Sequence, residues 1–184
     1  PTNANWFGSD SFTVTVTDDL NGISTQLVSI SLANVNDPAA ISGDIGYSGN
    51  EGDTVNGTMI ANDVDGLTDG TYFSITGTPA ANGTAAINAA TGAWTFVPTN
   101  ANWFGSDSFT VTVTDDLNGT TTQLVSISLA NVNDPAAISG DISYSGNEGD
   151  IVSGTMIATD VDGLTDGTCL ANTRTQVDNR APAM

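Results

Sequence analysis

The residues in this chain that could do chemistry are almost all carboxylates. The sequence holds 21 aspartate and glutamate residues, only two lysine or arginine residues and no histidine, which gives a formal net charge of −19. Asp63 and Asp65 alternate in a glycine-bounded loop, and the same arrangement returns as Asp160 and Asp162. Short oxygen side chains at i and i+2 can converge on one cation, and calcium prefers carboxylate and carbonyl oxygens. The spacing therefore predicts cation-binding loops.

Two other interpretations of these acids remain open. Aspartate is common in turns because its side chain bonds to its own backbone, so the acidic loops and the pairs Asp18-Asp19 and Asp115-Asp116 could be solvated turns. An acidic surface is also typical of salt-adapted proteins. The loop that starts at Asp63 lacks the glutamate at position 12 of an EF-hand, so it does not belong to that class.

The same composition argues against several classes of function. Both arginines, Arg174 and Arg180, lie in the last residues of the chain, so residues 1–168 offer no basic side chain to a nucleic acid or an anionic membrane. No apolar run approaches the ~20 residues that span a bilayer, so we expect no membrane insertion. Without histidine or lysine, serine and threonine have no conventional activating base. An aspartate pair could cleave a glycoside, but the pairs lie in turns that recur in every unit, so we expect no enzyme.

The carboxylates recur because the sequence repeats. NWFGSDSFTVTVTDDLNG, from Asn5 to Gly22, returns letter for letter from Asn102, and Pro1 matches Pro98, which sets the period at 97 residues. We therefore predict a chain cut from a longer array, in which only residues 38–134 fold on their own. Its predicted parts are the second half of a repeat at 1–34, a complete repeat at 35–131, the start of a third at 132–168 and a non-repeat tail at 169–184.

The elements that must position the acids read as short β-strands. Phe12, Val14 and Val16 alternate with polar residues and predict a half-buried strand. An Asn-Gly turn follows, and we expect the return strand to bury Val28, Ile30 and Leu32. The complete unit shows about seven such strands, including one predicted at Ala39–Tyr47, and no helical periodicity, which indicates an antiparallel sandwich. We expect its core to contain the large aromatic residues Trp94, Phe96, Trp103, Phe104 and Phe109.

The order of motifs in the complete unit resembles the cadherin repeat, and more closely the bacterial cadherin-like repeats of large RTX- or VCBS-type adhesins. Glu51 stands at the position of the first-loop glutamate, and Asp63-Val64-Asp65-Gly66 matches the Asp-x-Asp loop. Val113-Thr114-Asp115 matches the late strand that ends in a ligand aspartate, and Asn131-Val132-Asn133-Asp134-Pro135 is similar to the linker. The chain departs from animal cadherins at Asn102-Trp103-Phe104-Gly105, which replaces Asp-Arg-Glu and is typical of the bacterial group.

The resemblance implies an Ig/cadherin-like antiparallel Greek-key β-sandwich and calcium ions at the junctions between repeats, one or two at each. Carried over position by position, the first junction would use the oxygens of Asn36, Asp37, Asp63, Asp65 and Asp115. The second would use those of Glu51, Asn133, Asp134, Asp160 and Asp162.

The implied function is a calcium-binding structural repeat of a secreted bacterial adhesin. It would give a stiff stalk at the cell surface, with calcium, the neighbouring repeats and a cell-surface glycan or protein as partners. The alternative is a carbohydrate- or protein-binding sandwich module whose acids serve only solubility.

Overall fold

Every regular element of the chain that the structure describes is a β-strand. The computed structural model describes residues 1–165 and residue 170, so the predicted tail at 169–184 lies outside the described residues except for Leu170. No helix in the described part is long and apolar enough to cross a membrane. The chain divides into two compact bodies, Pro1–Ala130 and Asn131–Met184. The four-part division expected from the repeat stays a prediction.

Among the described residues, the first body contains ten strands and the second contains two. They are β1 (Gly8–Thr17), β2 (Ile23–Leu32), β3 (Ala40–Gly43), β4 (Gly46–Asn50), β5 (Val55–Asn62), β6 (Phe73–Ile75), β7 (Gly83–Ile87), β8 (Ala93–Pro98), β9 (Gly105–Thr114), β10 (Thr120–Ala130), β11 (Ala137–Gly140) and β12 (Met156–Thr159).

Strands β3 to β10 form the predicted Ig-like sandwich. One sheet has the order β3-β5-β8-β7 and the other β4-β10-β9-β6. The β3-β5-β8-β7 sheet corresponds to strands A, B, E and D of immunoglobulin-type domains, and β6, β9 and β10 correspond to strands C, F and G. The first strand is divided between the two sheets as β3 and β4. Sandwich packing is confirmed, but the strands are not all antiparallel, because β4 pairs with β10 in parallel.

The single strand predicted at Ala39–Tyr47 is wrong, because the chain changes sheets within it. Gly43 has φ 98°, and a Cβ there would overlap the carbonyl oxygen of Thr58 on the neighbouring strand. β3 therefore ends at Gly43, and β4 begins at Gly46 in the opposite sheet.

The core lies between the two sheets and is centred on Trp94. Its ring meets Phe109 edge-on at a centroid distance of 5.5 Å, and its indole N–H donates to the carbonyl oxygen of Asp44 at 3.0 Å. Gly57 lies against the ring, where a Cβ would come within 2.6 Å of it. Phe104 is 44% exposed, so its predicted place in the core is wrong: Trp103 alone of the Trp-Phe-Gly motif packs against the core.

β1 and β2 form the predicted hairpin, with Asn21 at φ 64° in its turn. Its predicted burial is wrong, since Ile30 and Leu32 are exposed and Val28 is only half-buried. Within the described residues β1 and β2 pair only with each other, so no second sheet of their own body covers this face.

The second body confirms two strands at the start of a third unit, but both strands are short. β11 pairs with β12 in the register of β3 with β5. Residues 152–155 are not a strand, although their counterparts 55–58 in β5 are. Those counterparts pair with β8, and the second body has no described equivalent of β8.

We predict opposite outcomes for one substitution made at the two copies of the same position. Phe109 is 0% exposed and Phe12 is 52% exposed. Phe109→Ala should lower the free energy of unfolding of the sandwich by about 3–5 kcal/mol, because it leaves a cavity beside Trp94. Phe12→Ala should change it by about 1 kcal/mol or less.

The measurement is denaturant unfolding of the full chain at low micromolar concentration, followed by tryptophan fluorescence. Equal losses from both substitutions would contradict the assignment of the core to the central unit.

Candidate metal centre

The acidic loop, residues 62–70, connects β5 to β6 and holds two of the predicted ligands. The N–H of Asp65 donates to Oδ1 of Asp63 at 2.7 Å, which closes a turn on the aspartate side chain. Gly66 follows with φ 115°, a conformation that a residue with a Cβ rarely adopts. The loop therefore holds the two carboxylates side by side.

The linker before β3 is attached to this loop through one backbone group. The N–H of Asp37 donates to Oδ2 of Asp65 at 2.6 Å. The neighbouring side chain, Asn36, donates from Nδ2 to the carbonyl oxygen of Asp37 at 3.2 Å. The linker and the acidic loop are thus brought together, and the role of their oxygens as ligands of the first junction stays a prediction.

The turn between β9 and β10 carries the third carboxylate, Asp115. Its Oδ1 accepts hydrogen bonds from the N–H groups of Leu117 and Gly119, at 3.0 Å and 2.7 Å. The residue is only 4% exposed. A Cβ on Gly119 would overlap both Oδ2 of Asp115 and the amide nitrogen of Asn36. The two side chains therefore lie on the same side of this glycine, in the space that a Cβ would fill.

In the acidic loop and the turn at Asp115, three buried carboxylate oxygens accept no hydrogen bond within the part of the chain that the structure describes. They are Oδ2 of Asp63, Oδ1 of Asp65 and Oδ2 of Asp115. In each residue the other oxygen is satisfied by a backbone N–H. Removing a charged oxygen from water without a partner costs several kcal/mol. A hard divalent cation is the partner that such oxygens select, so these three carboxylates fit calcium.

Asp107 shows how a purely structural aspartate in this fold differs. Burial raises the pKa of its carboxyl, but hydrogen bonds donated by the N–H groups of Asn82, Ala81 and Ser108 outweigh burial and leave the pKa below the ordinary value. Both oxygens of Asp107 accept hydrogen bonds. It therefore needs no cation.

The sequence analysis missed the role of Asp116. Its carboxylate accepts from the hydroxyl of Thr68 at 2.5 Å and from the N–H of Thr68 at 2.9 Å and 3.1 Å. The bond from the Thr68 hydroxyl, followed by that from its N–H, holds the pKa of Asp116 below the usual value. Asp116 ties the acidic loop to the turn that carries Asp115. The Asp-Asp doublet was the only signal, and nothing in it pointed to a threonine 48 residues away.

The first hairpin makes the same turn without the same surroundings. Oδ1 of Asp18 accepts from the N–H groups of Leu20 and Gly22 at 2.9 Å and 2.7 Å, as Asp115 does in its own turn. Asp18 is nevertheless exposed. The local sequence is enough to form the turn, and the sandwich around Asp115 is what buries it.

The second body repeats the attachment of linker to loop. The N–H of Asp134 donates to Oδ2 of Asp162 at 2.6 Å, and the N–H of Asp162 donates to Oδ1 of Asp160 at 2.8 Å. Asn133 donates to the carbonyl oxygen of Asp134 at 3.2 Å. These four residues lie together, and their role as ligands stays a prediction.

Glu51, the fifth ligand expected at the second junction, belongs to the first body. It lies in the turn after β4, where its N–H donates to the carbonyl oxygen of Ala130 at 2.9 Å. Its role as a ligand stays a prediction.

We expect the contribution of Asp116 to depend on pH. Because its folded-state pKa is lowered, its stabilising effect is complete above the unfolded pKa of about 4 and is lost as the pH falls through the lower folded value. Asp116→Asn should lower the melting temperature at pH 7. The difference in melting temperature between this variant and the unmodified chain should shrink steadily towards about pH 2.5. That pH lies roughly one unit or more below the pKa of a free aspartate.

The matched control for this experiment is Asp19→Asn, which changes the same doublet in the hairpin, where no hydrogen bond to the aspartate side chain is found among the described residues. It should leave the melting temperature unchanged at every pH. A constant difference between Asp116→Asn and the unmodified chain over the whole pH range would refute the coupling to Thr68.

Comparison with known proteins places the sandwich among recognised domains. A family model described as a bacterial Ig domain matches residues 36–128. The matched region begins at Asn36 and runs past Asp115, so it contains the linker, the acidic loop and the turn. No curated protein matches the chain.

Proposed function

Because the chain belongs to the bacterial Ig domain family, whose members are typically non-enzymatic structural modules of extracellular or surface proteins, we propose that its repeats bind calcium and serve as stiff spacers of a secreted bacterial adhesin. The closer assignment within this proposal is the cadherin-like repeat of RTX- or VCBS-type adhesins, which the order of its acidic motifs resembles.

The observation that carries the proposal is the set of orphaned buried oxygens on Asp63, Asp65 and Asp115. These residues come from two separate segments of the sandwich, and the linker residue Asn36 lies near the third of them, beside Gly119. In residues 1–165 no lysine or arginine is available to compensate the charge. A divalent ion would reverse the sign of the electrostatic interaction there from repulsive to attractive.

Calcium bound at this place would act on the linker. Asp37 is held to Asp65 by one backbone hydrogen bond, and Asn36 lies beside Asp115. One or two ions bound by the loop carboxylates and by oxygens of these linker residues would add strong bonds between the linker and the sandwich. A linker bonded at several points is stiffer than one held by a single hydrogen bond, which is the property that a spacer needs.

We predict that calcium raises the melting temperature of the chain and that a chelator lowers it. Binding to the folded state alone stabilises it by about 2.7 kcal/mol when free calcium is 100 times the dissociation constant. The measurement is thermal unfolding in millimolar calcium and in chelator, with equal ionic strength in both.

The matched pair of variants is Asp115→Asn and Asp18→Asn. Asp115→Asn removes one buried charge, so it should abolish most of the rise in melting temperature that calcium causes. In chelator it should lower the melting temperature little, because it relieves repulsion between the carboxylates. Asp18→Asn changes the same turn in the hairpin, where the aspartate is exposed, and should keep the full effect of calcium.

Two other outcomes would overturn the proposal. Identical melting curves with calcium and with chelator, combined with stabilisation by molar sodium chloride, would indicate a salt-adapted acidic surface. Saturable binding to a glycan array that does not depend on calcium would favour a carbohydrate-binding module.

A further inference from the structure

One pair of residues joins the acidic loop to the turn that follows β9. Oδ1 of Asp116 accepts from the N–H of Thr68 at 2.9 Å, and Oδ2 accepts from the hydroxyl of Thr68 at 2.5 Å and from its N–H at 3.1 Å. In the part of the chain that the structure describes, no other hydrogen bond connects residues 62–70 with residues 115–119. The placement of these two segments relative to each other therefore depends largely on this pair.

Gly66 gives the carboxylate of Asp116 the room to reach the loop. A Cβ at this glycine would lie 2.9 Å from Oδ2 of Asp116, closer than side chains approach in real structures. The carboxylate therefore occupies space that only a glycine leaves open. Gly66 directly follows Asp65, and Asp116 directly follows Asp115, so the contact forms between the nearest neighbours of two predicted ligands.

The oxygens that could bind an ion lie on both sides of this contact. Asp63 and Asp65 in the loop and Asp115 in the turn each have one buried oxygen that accepts no hydrogen bond from the described residues. Asp115 is only 4% exposed, so it is not an ordinary surface carboxylate. Hydrogen bonds within each segment orient these side chains locally. Those local bonds do not set the separation between the loop and the turn.

We propose that Asp116 and Thr68 are positioning residues for calcium, which hold the loop at the distance from the turn that lets Asp63, Asp65 and Asp115 bind calcium together. This inference rests on the proposed function. Both oxygens of Asp116 are engaged by Thr68, so Asp116 stabilises the arrangement of the ligands without binding the ion. Groups that hold metal ligands in place through hydrogen bonds typically contribute roughly 10–100-fold to metal affinity.

A simpler role for Asp116 is that its charge attracts the cation. The two roles predict different effects of Thr68→Val, which removes the hydroxyl, keeps the shape of the side chain and leaves every charge in place. If Asp116 acted through its charge alone, this substitution would leave the calcium affinity unchanged or raise it, because the carboxylate would be freer to approach the ion. Positioning requires that the affinity fall.

The first test is calorimetric titration of calcium into the full chain at constant ionic strength. The background carries Asp160→Asn and Asp162→Asn, so that the acidic loop of the second body does not contribute. Thr68→Val and Asp116→Asn should each weaken calcium binding by on the order of tenfold. Because both substitutions break the same contact, the double variant should bind little more weakly than either single variant. Independent effects would instead multiply to about a hundredfold.

Three control variants separate positioning from charge and from stability. Asp69→Asn removes one charge from the same loop, but the side chain of Asp69 accepts from the N–H of Thr71, two residues on, at 3.0 Å. It should weaken calcium binding far less than Asp116→Asn does. Thr68→Ser keeps the hydroxyl and should keep most of the affinity. Val125→Ala leaves a cavity in the core, where Val125 is 0% exposed, and should lower the melting temperature without changing the calcium affinity.

The second test needs no calcium. In chelator, the amide hydrogen of Thr68 should exchange slowly with solvent, because it is donated to Asp116. Asp116→Ala removes both acceptor oxygens and should speed this exchange by roughly tenfold or more, as expected for the loss of a hydrogen bond to a charged group. Asp69→Asn should leave the exchange of the Thr68 amide unchanged.

The outcomes separate this inference from the calcium proposal. If the background chain binds calcium and Thr68→Val binds it equally well or better, the positioning role is wrong and the proposed function stands. Absence of calcium binding by the unmodified chain would overturn both. A Thr68 amide that exchanges as fast in the unmodified chain as in Asp116→Ala would show that the contact does not hold the loop, and would overturn the inference on its own.

Discussion

The fold depends on one contact, the burial of the shared face of β9 and β10 beneath a second sheet. Phe109, Val111 and Val113 become inaccessible only because the β3-β5-β8-β7 sheet lies over them. The first hairpin has the same residues and the same strand register without that sheet, and its apolar face stays exposed. Since the two hairpins are nearly identical in sequence, the difference is a direct measure of what a partner sheet contributes.

The acidic region is the second consequence of that contact. The sandwich buries Asp115 beside the linker, and the Thr68–Asp116 pair brings the acidic loop to the same turn. Burying one orphaned oxygen on each of three carboxylates is unfavourable in a chain with almost no basic residues. A cation that supplied the missing bonds would relieve this cost, which connects the energetics of the sandwich with the proposed role as a calcium-stiffened spacer.

Much of the architecture could be predicted from the sequence. Period-two alternation and Asn-Gly turns located the hairpins, and the resemblance to cadherin-like repeats placed the linker beside the acidic loop. The interruption at Gly43 was missed because an apolar alternation does not show that a strand changes sheets. Phe104 was misplaced because an aromatic residue next to a core tryptophan has no sequence signal for its direction. Asp116 was missed because its partner is distant in the chain.

By itself the sequence determined the local structure, since the side-chain hydrogen bonds that close the turn at Asp18 recur unchanged at Asp115. It likewise determined the attachment of linker to loop, which forms at Asp65 and again at Asp162. Only the tertiary structure decided which copies of a residue are buried and which copies of a segment become strands. Residues 46–50 form β4 and residues 143–147 do not. The physical reason is that turns are closed by neighbours in the chain, whereas burial and strand pairing need a partner that the chain must bring from elsewhere.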